Sequence, residues 1–528
     1  MKTAFFFKRF FRLSTSLKQD GTSLQAINKI KFTFLLFFLF CLLLCWNFKM
    51  SDLPGLHGDE AWMGIKANSY LHGEKVHLLG MNTYTGILQS SVSALSFKIF
   101  GTSLYGLRVA GPLFNFLGLL ILICGVKKKN FGILFLVTVL QSSLLLISPR
   151  IAWEVNTFTL FFLSIAIVSI LKIIESIERC NSSWTFVFLL VNILGTYNHV
   201  IFLCIPISAF IGLLAWSFLE RDLGFIKLII LFLINLVNIT LIFFLMKYGS
   251  GSFFGSTTYI LIFAVALILL VQILIIHRIS TIRVNIAFEL KNYTLGIVVF
   301  GCLLNFLYYH GLALLEVFSN YKLIMHVYSY PFSWLVKTVF IICGITIICA
   351  IAYFLFQDVK NGGKAAIPAV AIISYLCVFS IFTTNNSMRY YLSIYVVFAI
   401  YLAYTINLQF RFGKIILTVL LATGLLNNTN LWKIYLNDNH NIAAMKVSVG
   451  TRLIENSGHF LPKAPLIRIL QKNSIGSIYY DSERYFLEQP ILFYKLIVPW
   501  KENKFKRAII DIDYNPKDNT NGYFVLMN

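Results

Sequence analysis

The sequence predicts a polytopic α-helical membrane protein of about thirteen crossings, with a small α/β domain outside the bilayer. Three observations lead there. Apolar residues make up 58% of the chain and charged residues only 12%, a balance far too hydrophobic for a soluble fold. Apolar runs near or above the ~17-residue lower limit for a span recur between residues 32 and 427. Basic residues cluster on every second connection between those runs, as the positive-inside rule requires.

Residues 1–31 read as a basic cytoplasmic arm. Phe5 to Arg12 (FFFKRFFR) alternates aromatic and basic residues and suits an anionic inner leaflet. About thirty residues precede the first apolar run and no small-x-small pattern follows it, so a cleavable signal is not expected. Residues 32–427 form the expected transmembrane bundle. Its spans fall near 32–48, 103–126, 131–148, 155–174, 185–199, 200–219, 225–246, 257–277, 293–309, 334–356, 366–384, 389–407 and 414–427. The basic connections are Lys127 to Lys129, Lys172 with Arg179, Arg221 with Lys227, Arg278 with Arg283 and Lys291, Lys360 with Lys364, and Arg411 with Lys414. The split near His199 is required, because fusing those two short spans would invert every later connection and spoil the charge pattern. An odd number of crossings places the tail opposite the N-terminus.

The first outer loop, 49–102, is long for a bundle connection and carries two interfacial helices. One is Ala61 to Leu71; the other carries Ile87, Leu88, Val92, Leu95 and Ile99. A further turn is expected over Gly249 to Ser256, and another long outer segment from His310 to Trp334. After residue 428 the composition changes, and 428–528 reads as an extracytoplasmic α/β domain. A helix is expected over Asn441 to Asn456, with β-rich runs at Ser477 to Tyr480, Ile491 to Tyr494, Ile509 to Ile512 and Tyr523 to Met527.

The formal charge of +22 raises nucleic acid as a partner. The Lys and Arg residues sit in short gaps between apolar runs and in the two ends, which is attraction to membrane lipid rather than a nucleic-acid groove. The nine cysteines lie in or beside apolar runs, with neither disulfide-framework nor zinc-site spacing.

The polar chemistry collects at the outer ends of spans. Leu56-His57-Gly58-Asp59-Glu60-Ala61-Trp62 puts two adjacent carboxylates where a span ends and a helix begins. An acid at a bilayer interface is costly unless partnered or wet, which points to a reaction centre. The plainer reading is that Asp59 caps the helix. Ser148-Pro149-Arg150-Ile151-Ala152-Trp153-Glu154 and Arg389-Tyr390 recur at the same level. Taken singly, Arg150 reads as a snorkelling interface residue and Arg389 as a span anchor. Together, guanidinium and carboxylate suit a phosphate-bearing lipid: arginine holds phosphate oxygens while aspartate takes a proton.

This set of features resembles the GT-C superfamily of polyprenol-dependent glycosyltransferases. The layout is nearest the branch holding protein O-mannosyltransferases and bacterial lipid A aminoarabinose transferases. Tyr479-Tyr480-Asp481 and Ile491-Leu492-Phe493-Tyr494 are similar to the tails of bacterial members, whereas a proline often found after the Arg-Tyr pair is missing from Tyr390-Tyr391-Leu392. The resemblance implies inverting transfer of a sugar from a polyprenyl-phosphate donor to a lipid, glycan or protein acceptor at the outer face of a bacterial inner membrane. Asp59 would be the base or acceptor-orienting acid, and Glu60 its neighbour in shaping the site. Arg389, Arg150 and Tyr390 would bind the donor phosphate. His57, Glu154, His199 and Lys322 are candidate substrate contacts. No cofactor is expected to be required; the alternative is a divalent metal held by His57, His199 or His310 with Glu154 or Glu316. The competing functional classes are a transporter or lipid flippase and a non-catalytic envelope-assembly protein.

Overall fold

The computed structural model describes residues 22–74, 80–82, 84–128, 130–175, 182–220, 286–361, 363–380, 387–406, 410–436, 445–448, 453–456, 460–461, 477–481, 485–497, 505–508 and 522–527. The expected arm motif at residues 5–12, the spans at 225–246 and 257–277 and the turn at 249–256 lie outside the described residues. The chain groups into two compact units, Met1–Cys45 and Trp46–Asn528. The described part of the first is helix α1, Thr22–Asn47, whose last two residues belong to the second unit.

The second unit opens with a two-residue strand, β1 (Leu56–His57), that leads directly into α2 (Gly58–Leu71). His57 is extended, and its Nδ1 accepts the Asp59 N–H at 3.1 Å, so His57 rather than Asp59 caps this helix. Asp59 and Glu60 occupy the first turn, where the helix end favours negative charge. The second interfacial helix is α3 (Leu88–Phe100). Then come α4 (Leu104–Arg108) and α5 (Ala110–Gly125), which together pass as one span.

The expected span 131–148 is broken. Helix α6 (Phe131–Gln141) and α7 (Ser143–Ile147, continued by a 3₁₀ turn at Ser148–Arg150) meet at 85°. Ser142 leaves helical geometry, and its hydroxyl accepts the Leu145 N–H at 3.2 Å. The groups freed by the bend find protein partners: the Ser143 N–H reaches Asn320 Oδ1 (2.7 Å), and Asn427 and Asn428 donate to the carbonyls of Gln141 and Leu140 at 3.2 and 3.0 Å. A backbone break in hydrocarbon is tolerated under that condition.

Helices α8 (Glu154–Glu175), α9 (Ser182–Asn198) and α10 (Cys204–Glu220) follow, with a 3₁₀ turn at Val200–Leu203. The chain is therefore divided at His199, where the charge pattern required it. Helix α11 (Ile286–Ser319) runs unbroken past His310, so the first part of the expected outer segment is helix; α12 (Tyr321–Tyr328) supplies more of it. His310 lies fully buried against Tyr391, with Nδ1 2.8 Å from the hydroxyl, because apolar residues continue the helical face beyond residue 309. Helices α13 (Trp334–Asn361), α14 (Gly363–Phe379), α15 (Leu392–Thr405, preceded by a 3₁₀ turn at Met388–Tyr391) and α16 (Arg411–Leu436) complete the helical part. Among the described residues five helices are long and apolar enough to cross a membrane, and the bent pair makes a sixth.

Beyond α16 lie β2 (Met445–Ser448), β3 (Leu453–Asn456), β4 (Phe460–Leu461), β5 (Ser477–Asp481), α17 (Tyr485–Ile497), β6 (Phe505–Ala508) and β7 (Gly522–Met527). Five strands form a mixed sheet in the order β2-β3-β7-β5-β6. Two expectations are corrected. Residues 445–448 and 453–456 form an antiparallel pair, Met445↔Asn456 to Ser448↔Leu453, and not a helix. The β-branched residues Val447 and Ile454 outweigh the apolar spacing there. Ile491 to Tyr494 is helical: Ile491 and Tyr494 share a face three residues apart, and a short apolar run cannot tell strand from buried helix. The strand expected at 509–512 lies outside the described residues, just after β6.

The tail is built into the first loop. Strand β4 pairs antiparallel with β1, Leu56↔Leu461 and His57↔Phe460. The Tyr494 hydroxyl donates to the Leu461 carbonyl at 2.6 Å. Ile491, Phe493 and Tyr494 join Leu56, Ala61, Ala67, Phe97, Leu104 and Leu107 in one buried cluster, each large side chain contributing about 1.5–3 kcal/mol. Two glycines flanking the acid pair admit this docking. A Cβ on Gly55 would stand 2.7 Å from the Leu461 carbonyl carbon, and one on Gly64 would stand 2.4 Å from the Phe493 ring. Gly55→Ala should force two backbones apart and lower the melting temperature in detergent, with new protease cuts in the tail. An unchanged proteolysis pattern would mean that the β1–β4 pairing is dispensable.

Candidate active site

The two acids of the organising motif part company. Consecutive helical residues point in different directions, and Asp59 lines a cavity of about 960 Å³ while Glu60 turns into the protein. Asp59 Oδ2 accepts from Arg389 NH1 at 2.6 Å, an ion pair that joins residues 330 apart in the chain. NH2 of Arg389 donates to the Tyr390 hydroxyl at 3.2 Å. The guanidinium lies 4.8 Å from the Trp153 ring centre and 5.1 Å from that of Tyr390. Among the described residues, Arg389 Nε has no hydrogen-bond partner although the side chain is largely buried. One end nitrogen of the fork is thus held by Asp59 and the other by Tyr390, which leaves Nε as the donor without a partner.

Glu60 is fully buried and accepts from Arg108 twice, Nε to Oε1 at 2.6 Å and NH2 to Oε2 at 2.8 Å. Oε1 also accepts the Ala152 N–H at 3.0 Å. Arg108 donates its other hydrogens to the carbonyls of Met50, Pro54 and Gly55, each at 2.9 Å. Glu60 therefore fixes the entry to the first loop and the 148–154 turn, and does not line the cavity.

Arg150 does not reach the cavity either. Its NH2 donates to the carbonyls of Phe48 (2.7 Å) and Leu53 (2.9 Å), and its guanidinium lies over the Tyr435 ring at 4.3 Å. The Arg150 side chain is fully buried and is not among the residues that line the cavity. His57, Lys322 and Tyr390 line the cavity; Lys322 is ion-paired with Glu316. Glu154 and His199 lie behind its wall. Glu154 is close enough to act on Arg389 electrostatically. His199 Nδ1 accepts the Ile201 N–H at 3.1 Å, and the ring packs between Tyr84 and Tyr390. Tyr84, from the first loop, is hydrogen-bonded to Tyr390, and burial together with that bond raises its phenol above the ordinary value. Among the described residues no group of three or more His, Cys, Asp or Glu side chains is arranged to hold a metal.

Four contributors carried no sequence signal that singled them out. Arg108 looks like any basic residue at a span start. Trp153 and Asn156 sit in and just after a turn whose Arg and Glu drew the reading. Phe460 comes from the tail; its ring lies 5.1 Å from His57, 6.0 Å from Trp153 and 6.1 Å from His326. Only the β1–β4 pairing brings it there.

No protein-family model and no curated protein matches the sequence. Among solved structures the chain is similar to ArnT from Cupriavidus metallidurans in the apo state, with a TM-score of 0.40 and 12% identity over 77% of this chain and 62% of that one. It is also similar to ArnT from the same organism bound to undecaprenyl phosphate, with a TM-score of 0.36 and 12% identity over 91% and 87% of the two chains. The chain thus spans less than two thirds of the first of these structures.

Both acids are buried, but Asp59 faces the cavity and Glu60 the packed interior, which makes them separable. Removing one partner of a buried ion pair costs about 3–5 kcal/mol, so Glu60→Gln and Arg108→Met should each depress the melting temperature and the yield of folded protein. A Glu60→Gln protein with wild-type melting but no activity would instead assign Glu60 to the chemistry.

Proposed function

We propose that the protein is a membrane glycosyltransferase that moves a sugar from a polyprenyl-phosphate carrier to a lipid, glycan or protein acceptor at the outer face, with inversion. The observation that carries this reading is the Asp59–Arg389 pair in a large cavity, with Arg389 Nε unpaired. A phosphate monoester or diester suits this guanidinium once NH2 turns from the Tyr390 hydroxyl, since Nε and NH2 together grip two oxygens in one plane. A cavity of about 960 Å³ is at the upper end of small-molecule sites, with room for a sugar, its phosphate and an approaching acceptor.

In the reaction an acceptor hydroxyl oxygen forms a bond to the anomeric carbon as the bond from that carbon to the phosphate oxygen breaks. The acceptor proton passes to Asp59, and the electron pair leaves with the phosphate. Charge gathers on the departing phosphate, where Arg389 stabilises it; most of the rate gain is positioning and fixed electrostatics. Arrival of the phosphate draws Arg389 toward a second anion and loosens its hold on Asp59 Oδ2. Donor binding thereby readies the base. We infer no required metal, because Arg389 answers the leaving-group charge. The charge pattern supports a cytoplasmic N-terminus and an outer tail, and the β1–β4 pairing joins tail and acid motif on one side.

The transporter reading draws on the broken span at Ser142, as discontinuous helices build many carrier sites. The break is filled by protein hydrogen bonds, which leaves it a structural joint.

Two variants test the proposal in detergent, with polyprenyl-phosphate-linked sugars as donors. Asp59→Asn keeps an acceptor for Arg389 and leaves the His57 cap intact, so the protein should stay folded and lose about two to four orders of magnitude in kcat. Full activity in that variant would remove Asp59 from the chemistry. Arg389→Lys keeps the charge and loses the planar fork; transfer should fall by at least about tenfold while Asp59 stays ion-paired. Wild-type kinetics there would reduce Arg389 to an anchor, and no transfer by the wild type from any polyprenyl-linked sugar would return the transporter reading to first place.

A further inference from the structure

Resting on the glycosyltransferase reading, we infer that Asn156, with the indole N–H of Trp153, forms the subsite that takes the sugar ring of the donor by a neighbouring pair of hydroxyls. Asn156 lies in the first turn of α8, lines the same cavity as Asp59 and Arg389, and is 1% exposed. Its backbone is pinned: the Asn115 side chain donates to the Asn156 carbonyl at 2.9 Å and to the Gly111 carbonyl at the same distance. Its carboxamide is not. Among the described residues neither Oδ1 nor Nδ2 has a hydrogen-bond partner, and neither has Trp153 Nε1 in the same cavity wall.

A buried amide with both ends unpaired is a cost to the fold. A leucine, with the same branching and number of heavy atoms, would remove that cost, so stability does not account for the residue. The pattern of unpaired atoms selects the ligand class. A phosphate or carboxylate would use the Nδ2 donors and leave Oδ1 facing like charge. An ammonium group would use Oδ1 and leave Nδ2 without an acceptor. Two vicinal hydroxyls offer a donor and an acceptor side by side, and satisfy both ends of a carboxamide at once. The Trp153 N–H adds a further donor for a third oxygen. The Arg389 guanidinium lies over the ring of the same Trp153, so a sugar held at Asn156 and Trp153 leaves its anomeric phosphate next to Arg389.

The test compares binding of bare undecaprenyl phosphate with binding of undecaprenyl phosphate carrying each of a panel of hexoses and pentoses, by native mass spectrometry of the full chain. Wild type should hold at least one loaded carrier more tightly than the bare one. Asn156→Leu should weaken that loaded carrier about 10- to 100-fold, leave the bare carrier unchanged, and melt at or above the wild-type temperature. Asn156→Asp, which keeps the shape and loses the donors, should also lose discrimination. A donor lacking one of the two hydroxyls should bind wild type as weakly as the full donor binds Asn156→Leu, with no further loss when the two changes are combined. Equal binding of bare and loaded carriers by wild type, unchanged discrimination in Asn156→Leu, or a large fall in its melting temperature would each overturn the assignment while leaving a carrier-binding protein. Failure of wild type to bind any carrier would overturn this assignment and the glycosyltransferase reading together.

Discussion

The cavity that holds Asp59 and Arg389 depends first on an interaction that does not face it. Arg108, fully buried, directs all five of its N–H donors to fixed acceptors: two to Glu60 and three to the carbonyls of Met50, Pro54 and Gly55. A guanidinium taken out of water is tolerated only when it is paired and every donor is answered. Here the answer comes from the chain just before the acid motif and from the motif itself. Glu60 then reaches the Ala152 N–H, so one ion pair clamps the first loop to the turn that leads into Trp153 and Asn156. Arg150 acts in the same way from the other side, through the carbonyls of Phe48 and Leu53. With residues 48 to 60 immobilised, Asp59 presents its carboxylate to Arg389 at a fixed place. Preorganisation of that kind is what electrostatic catalysis requires.

The tail takes part in the same construction. β4 extends β1 by one strand, and α17 covers α2, so the helix that carries Asp59 is held from both ends. Phe460 packs against His57 and Trp153, two residues of the cavity wall. Gly55 and Gly64 are small because tail atoms occupy the space a side chain would need.

The helical architecture was legible from apolar runs, and a helix break does fall at His199, between α9 and the 3₁₀ turn at Val200–Leu203. That Asp59, Arg389 and Tyr390 belong together was legible because polar groups recur at the outer ends of spans, and the structure brings the three to one cavity. What escaped the sequence is long-range pairing. Arg108 and Arg150 each look like an arginine near a span end; only their acceptors, 48 to 58 residues away for Arg108 and about 100 for Arg150, set them apart as buried struts. Phe460 carries no local signal, since its place follows from a two-residue strand pairing across 400 residues of chain. Ile491 to Tyr494 read as strand because four apolar residues fit either period, and the helix is decided by the surface of α2 it covers.

The adjacency of Asp59 and Glu60 follows from the same geometry. Successive residues of a helix project about 100° apart, so a dipeptide at the first turn can place one carboxylate in a cavity and the next in the core. The helix must begin at one residue only, because a slip of one position would turn the Glu60 carboxylate toward the cavity and that of Asp59 toward Arg108. His57 sets that register. Its Nδ1 caps the Asp59 N–H, its backbone is tied to Phe460 in the β1–β4 pair, and its ring is wedged against Trp153 and Phe460. The residue that lines the cavity beside the acid is thus also the one that fixes which acid faces it.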